Sequence, residues 1–305
     1  MLVEMLSHIV SIKQYLNKQQ LSSLFSETEK LQNLPPDQHP KPLQGRVIAT
    51  LFYEPSTRTR LSFEAAILRL GGNVLSTENA AAVSSAVKGE SLEDTIKVIS
   101  GYADAIVLRH KDAGAAERAS KASDVPIINA GDGGGEHPTQ ALLDLYTISQ
   151  YKKEIDGLKI GLAGDLFNSR TLHSLLFILA IYDVELYLIA PKEVQLQQEY
   201  LDHLKQKGIK HHIVYDIDEC LSELDVIYIN RLQMERHTKG FTGKAPALTV
   251  ENVKLLKHDA IILNPLPRVD EIELEVDNDP RAVYFQQAGN GLYIRMALLA
   301  QLFNK

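Results

Sequence analysis

Short apolar runs alternate with helix-period patterns along most of the chain. Leu21, Leu24, Phe25 and Leu31 recur at helical spacing before the breaker Pro35-Pro36, which predicts an N-terminal amphipathic helix. Apolar runs near 46–52, 105–109 and 126–129 read as strands, and helical patterns near 61–70, 90–100 and 138–149 fall between and after them. A second series of strands is predicted at 158–163, 185–190, 225–229 and 259–263, again with helices between, and His211-His212 reads as an exposed strand start. The last pattern, Tyr293 to Phe303, is a helix that fits against either half. This alternation predicts an α/β fold with two parallel-sheet domains. Ligands of open α/β sheets bind beyond the carboxyl ends of the strands, so the segments leaving those strands carry the candidate chemistry.

Composition narrows the classes. With 305 residues, 45% hydrophobic and 23% charged, the chain can bury a large core and has the length of about two domains. A formal charge of -7 and a pI near 5.8 argue against a chain-wide nucleic-acid or anionic-membrane surface, while a focused anion site is still allowed. Cys220 is the only cysteine, which excludes an intrachain disulfide and a cysteine zinc site and suits a reducing compartment, with cytoplasm the default. The start at Met1 lacks a basic, apolar leader, and the longest apolar run, Leu175 to Tyr182, is too short to span a bilayer, so no membrane role is expected. The ten histidines and thirty-nine acids form no H-E-x-x-H or other compact metal spacing, and neither a G-x-S-x-G elbow nor a P-loop is present. Gly161 to Asp165 hints at a nucleotide turn but lacks G-x-G-x-x-G. No metal or other cofactor is expected.

The most informative segment is Pro55-Ser56-Thr57-Arg58-Thr59-Arg60, placed between a predicted strand and a predicted helix. Helix N-terminal N–H groups, three hydroxyls and two guanidiniums then gather where a phosphate oxyanion could bind. An ordinary Ser/Thr cap with solvated arginines has the same spacing. Ser84 to Glu90 is a loop with hydroxyls, Lys88 and a glycine, or simply a solvated surface turn. Arg109 follows an apolar strand and fits either a ligand contact or a rim salt bridge. In Asn129 to Gln140, four glycines permit tight turns, Pro138 suits a first helical position, and His137 and Gln140 are presented at the helix start; a capping or packing histidine is the alternative. Arg170, and Arg231 with Gln233, lie at further strand exits and could clamp two carboxylates, or be solvated. Asn264-Pro265-Leu266-Pro267-Arg268 leaves the last long strand stiffened by prolines, either a rigid turn or a source of carbonyls that accept from a substrate amine.

Phe52 to Arg60, Lys88-Gly89-Glu90, His137-Pro138-Thr139-Gln140, Arg231-x-Gln233-x-Glu235-Arg236, Pro265-Leu266-Pro267-Arg268 and Gln287-x-x-Asn290-Gly291 occur in the order seen in aspartate carbamoyltransferase catalytic chains, which the sequence resembles over nearly its whole length. Ornithine carbamoyltransferase resembles the first half, but carries a His-Cys-Leu-Pro segment where this chain has Asn264 to Pro267 and a Ser-Met-Gly loop that is missing here. The resemblance implies a carbamoyl-phosphate domain over 1–138, to which a C-terminal helix at 288–305 returns, and an aspartate domain over 139–287. It implies that Ser56, Thr57, Arg58 and Thr59 bind phosphate, that Arg109 reaches phosphate and carbonyl oxygen, that Thr59 and His137 complete the polarisation, and that Gln140 holds the carbamoyl amine. Arg170, Arg231 and Gln233 would orient aspartate, and the carbonyls of Pro265 and Leu266 would contact the substrates. Ser84 and Lys88 would reach a neighbouring subunit's site, Lys88 toward both substrates, which makes the assembly a homotrimer. The implied reaction carbamoylates L-aspartate for pyrimidine biosynthesis, with domain closure aligning the reactants. Regulatory chains in a larger assembly are compatible with this. Transfer to another amino acid, such as N-acetylated ornithine, and a non-catalytic anion sensor are the competing readings. Asn264 departs from the histidine many aspartate enzymes carry there, and the Met234 to Thr249 loop is short.

Overall fold

The structure, a computed structural model, describes residues 8–80, 89–233 and 245–303. The chain divides into two compact units, Met1–Leu142 with Asn290–Lys305, and Leu143–Gly289. Met234 to Lys244, and with them much of the Met234 to Thr249 loop, lie outside the described residues.

In the first unit α1 (Lys18–Asn33) starts where the Asn17 side chain accepts from the N–H groups of Gln19 and Gln20, and it buries Leu21, Leu24 and Leu31. The sheet comprises β1 (Val47–Phe52), β2 (Asn73–Glu78), β3 (Ala105–His110) and β4 (Ile127–Asp132), in the order β2-β1-β3-β4 with every pair parallel. Inner strands buried on both faces read as unbroken apolar runs, which is why β1 and β3 were predictable. The crossovers are α2 (Thr57–Arg69), α3 (Leu92–Ile99) and α4 (Ala115–Ala122). Leu92 and Ile96 of α3 and Ala115 and Ala119 of α4 pack with Ala49, Leu51, Ile106 and Leu108 in one core cluster.

Two elements were missed by periodicity, for opposite reasons. β2 is the sheet edge, so its residues are exposed or half-exposed and no apolar run marks it. α4 buries only alanines, which give no contrast on a hydrophobic pattern. α2 also begins at Thr57 rather than near Leu61, because its first turn is polar and carries no apolar period.

The second unit holds most of α5 (Pro138–Tyr151) and a sheet of β5 (Lys159–Ala163), β6 (Glu185–Ile189), β7 (Lys210–Val214), β8 (Val226–Ile229) and β9 (Ile261–Leu263). Its order is β7-β6-β5-β8-β9, all parallel. α6 (Arg170–Leu179) and α7 (Gln198–Gln206) follow β5 and β6, and α8 (Tyr284–Phe303) begins here and ends in the first unit. Ile189, Leu221, Ile227, Ile229, Ile262 and Tyr284 belong to its core. No helix among the described residues is long and apolar enough to cross a membrane.

Strand order fixes where ligands can dock. In the first sheet the chain steps from β1 to β2, then returns to the other side of β1 as β3. In the second it steps from β5 out to β7, then returns beside β5 as β8. Loops leaving the carboxyl ends at such reversals diverge to opposite faces and leave a crevice. The reversals lie at β1/β3 and at β5/β8.

Candidate active site

At the β1/β3 reversal, Phe52 is the register partner of Arg109, and the Tyr53 N–H donates to the Arg109 carbonyl at 2.9 Å. The chain then turns through Glu54 and Pro55 into α2. Ser56 occupies the cap position with an extended backbone, but its side chain makes no capping hydrogen bond. The first-turn N–H groups of Thr57, Arg58 and Thr59 have no intrahelical acceptor by helix geometry, and the helix dipole puts partial positive charge there. Thr59 is buried, while Arg58 is exposed. Partial desolvation lowers the Arg58 pKa from 12.5, and its exposure keeps the guanidinium charged at neutral pH. Arg60, by contrast, is committed to the fold, bridging Glu64 at 3.3 Å and Glu78 at 2.8 Å.

Arg109 lies half-buried with its Nε 3.6 Å from Glu54 Oε2 and its Nη1 3.5 Å from the Ala130 carbonyl. Sequence spacing did not single out Glu54, whose position two residues beyond β1 is the signal that places it beside an arginine of the adjacent strand. His110, next in β3, packs against Tyr53 with the rings tilted by 57° and their centroids 4.7 Å apart, and accepts the Asp112 N–H on Nδ1 at 3.1 Å. Burial lowers its pKa, and the accepted bond requires the neutral ring.

The loop after β4 is braced before it delivers its histidine. Asp132 accepts from Gly114 N–H at 3.0 Å and from Glu136 N–H at 2.8 Å, and Glu136 accepts from Ser11 Oγ and from Ile12 N–H at 2.6 Å. Gly133 sits at φ +50°, and an added Cβ would meet the Lys111 carbonyl at 2.3 Å, so a side chain is excluded there. Pro138 opens α5, His137 is buried at its entrance, and the His137 carbonyl accepts from Gln140 and Ala141 N–H. Ser56 to Thr59, Arg109, His137 and Gln140 therefore all lie at or beyond the carboxyl ends of three adjacent strands.

At the β5/β8 reversal two buried side chains tie the loops together. Asn230, directly after β8, accepts the Asp165 N–H at 2.9 Å and donates to Ser169 Oγ at 2.6 Å. Asp165 accepts from Asn168 N–H at 2.9 Å and from Gln233 N–H at 3.2 Å. Ser169 caps α6, whose first residue is the buried Arg170, and Arg231 lies half-buried beside Asn230 with its Nη1 3.3 Å from the Leu232 carbonyl. Arg170, Arg231 and Gln233 thus hang on one Asp165–Asn230 brace. Sequence spacing marks Asp165 only as the end of the Gly161 to Asp165 turn and does not mark Asn230; the strand-exit position of each was the available signal. His173 reinforces the loop by a 2.8 Å bond from Nε2 to the Leu166 carbonyl, with burial lowering its pKa so that the neutral ring donates.

Beyond β9, Pro265 and Leu266 are half-buried, Leu266 has φ +54°, and the Leu266–Pro267 peptide is cis. Ser84, Lys88, Glu235 and Arg236 lie outside the described residues.

Two family models match the chain. "Aspartate/ornithine carbamoyltransferase, carbamoyl-P binding domain" covers residues 7–150, and "Aspartate/ornithine carbamoyltransferase, Asp/Orn binding domain" covers 156–302. Among curated proteins, the Methanocaldococcus jannaschii aspartate carbamoyltransferase catalytic subunit is 47% identical over 307 residues, covering 97% of this chain and 98% of that one. Aspartate carbamoyltransferase 1, chloroplastic, of Pisum sativum is 47% identical over 304 residues, covering 97% of this chain and 78% of that one. Among solved structures, Trypanosoma cruzi aspartate transcarbamoylase in complex with carbamoyl phosphate and aspartate aligns with a TM-score of 0.92 at 38% identity, covering 97% of both chains. With both halves matched and the strand-exit residues in place, the chain belongs to the aspartate/ornithine carbamoyltransferase family.

Proposed function

We propose that the chain transfers the carbamoyl group from carbamoyl phosphate to the amine of L-aspartate, giving N-carbamoyl-L-aspartate and phosphate, an early committed step of pyrimidine (UMP) biosynthesis. The observation that carries this is that each sheet reversal presents the cations one substrate needs: Arg58 and Arg109 beside a helix N-terminus, and Arg170 with Arg231 on the Asp165–Asn230 brace. The complexes of the Trypanosoma cruzi relative with carbamoyl phosphate and aspartate support the same pairing.

In this mechanism Ser56, Thr57, Arg58 and Thr59 hold the phosphate. Arg109 contacts phosphate and the carbamoyl oxygen, Thr59 and His137 also donate to that oxygen, and Gln140 holds the carbamoyl amine. Arg170, Arg231 and Gln233 orient the aspartate carboxylates, and the Pro265 and Leu266 carbonyls accept from amine N–H groups. The aspartate amine attacks the carbamoyl carbon, and negative charge grows on its oxygen. The C–O bond to phosphate then breaks, and the departing phosphate takes the amine proton. Preorganised donors aimed at the developing oxyanion supply the main stabilisation. The test is the identity of the carbamoylated product: N-carbamoyl-aspartate supports the assignment, and citrulline from ornithine alone rejects it.

The working unit is proposed to be a homotrimer in which Ser84 and Lys88 enter the neighbouring copy's site. Support comes from β2, an edge strand among the described residues that lies shortly before the segment containing both residues, and from Leu61, Leu68 and Leu75, which are 50%, 61% and 46% exposed on α2 and β2. Leu61 and Leu68 share one face of α2, and such apolar surface at an open edge calls for a partner. Lys88→Ala and Arg58→Ala chains, each nearly inactive alone, should recover activity when mixed and re-formed, since hybrid trimers contain some intact sites. Absence of recovery in trimers confirmed by native mass measurement counts against shared sites.

A further inference from the structure

We infer that Asn264 is a positioning residue that sets the Pro265 and Leu266 carbonyls through a buried side-chain network. The inference rests on the proposed carbamoyl transfer and extends it to a residue that touches no substrate. Asn264 is 1% exposed, so it acts on substrates only through its neighbours. Its Oδ1 accepts the Leu266 N–H at 2.6 Å, a two-residue Asx turn that closes the loop on itself. Its Nδ2 donates to Glu271 Oε1 at 2.9 Å, and the other Glu271 oxygen accepts the Val269 N–H at 2.9 Å. Its own N–H donates to Gln287 Oε1 at 2.9 Å, and Gln287 Nε2 donates to Asp144 Oδ1 at 2.6 Å.

One amide thus connects the exit of β9, the far end of the 264–271 loop and the start of α8. Leu266 is the residue under load, since φ +54° is a left-handed conformation that a branched apolar residue rarely adopts. Such a conformation persists where the surroundings over-determine it, and such sites cluster where backbone atoms meet ligands. The Asx turn donated by Leu266 and the staple to Glu271 are that surrounding structure. Arg268, ion-paired through Nη2 to Asp277 Oδ2 at 2.6 Å, fixes the loop a second time. Between these anchors Pro265 and Leu266 remain half-buried, with their carbonyls free of any role in the network.

The test uses four variants of the full chain with inorganic phosphate as a probe of the first unit. Asn264→Ala should lower kcat/KM for aspartate roughly tenfold, the effect of leaving buried hydrogen-bonding groups unpaired, with the inhibition constant of phosphate changed less than about twofold. Asn264→Asp keeps the acceptor for Leu266 but faces one carboxylate with another, and should lose more. Glu271→Gln alone should lose modestly, and Asn264→Asp combined with Glu271→Gln should recover most of the Asn264→Asp loss, because the amide donor is restored from the other side. Unchanged aspartate kinetics, equal losses for phosphate, or no recovery in the double variant overturns the inference. If the wild-type chain forms no N-carbamoyl-aspartate, the proposed function fails instead. The crystal structure of Asn264→Ala then decides: Leu266 leaving the left-handed region supports the positioning role, and Leu266 unmoved overturns it.

Discussion

Replacing Arg109 with alanine is expected to lower kcat by on the order of a hundredfold or more, with the fold intact. The argument starts from strand register. Phe52 pairs with Arg109, so the guanidinium sits beside the turn that opens into Ser56 and the N-terminus of α2. From there one planar fork can reach both a phosphate and the carbonyl oxygen where charge develops, which a point charge cannot do as well. Arg109→Lys should therefore recover only part of the loss. Glu54, 3.6 Å from Nε, is partly exposed and can be hydrated when the arginine is gone, so the melting temperature should change little. Steady-state kinetics with saturating aspartate check this, and kcat within about threefold of wild type would remove Arg109 from the transition state.

Gly164→Ala is expected to have a large structural effect for a single added methyl. Gly164 has φ +108°, and an added Cβ would lie 2.0 Å from the Asn230 carbonyl oxygen and 2.2 Å from its Oδ1. The contact with the carbonyl oxygen cannot be relieved by a side-chain rotation, because that oxygen belongs to the backbone at the end of β8. Asn230 must move, and with it go the bonds to Asp165 and Ser169 that hold the loops bearing Arg231, Gln233 and Arg170. The strain corresponds to roughly 3 kcal/mol or more, a fall in melting temperature on the order of 10 °C, and a raised KM for aspartate. Calorimetry with parallel kinetics checks it. A melting temperature within about 2 °C of wild type would mean that the β5 exit can rearrange freely.

How much of this was legible in the sequence follows from burial. β1, β3, β5, β6, β8 and β9 announce themselves because strands covered on both faces must be apolar throughout. β2 does not, since an edge strand can alternate polar residues without cost, and α4 does not, since alanine is small enough to bury without raising the pattern. In the candidate site, Ser56 to Thr59, Arg109, Arg170 and Arg231 were legible as cations and hydroxyls leaving strands. What supports them was not. Asn230 reaches Ser169 across 61 positions and Glu136 reaches Ser11 across 125, and no periodicity encodes such a partner. The same holds for Asn264, which looked like a departure from a motif and proves to be the hub of a hydrogen-bond network.

The most direct test of carbamoyl transfer to aspartate is a product assay with the purified chain, carbamoyl phosphate, and aspartate or ornithine supplied in parallel. The proposed pairing of Arg170 and Arg231 with two carboxylates predicts N-carbamoyl-aspartate as the product, with kcat/KM for aspartate exceeding that for ornithine by roughly a hundredfold or more, because ornithine brings a side-chain cation where aspartate brings a second carboxylate. Equal or faster formation of citrulline would contradict the assignment.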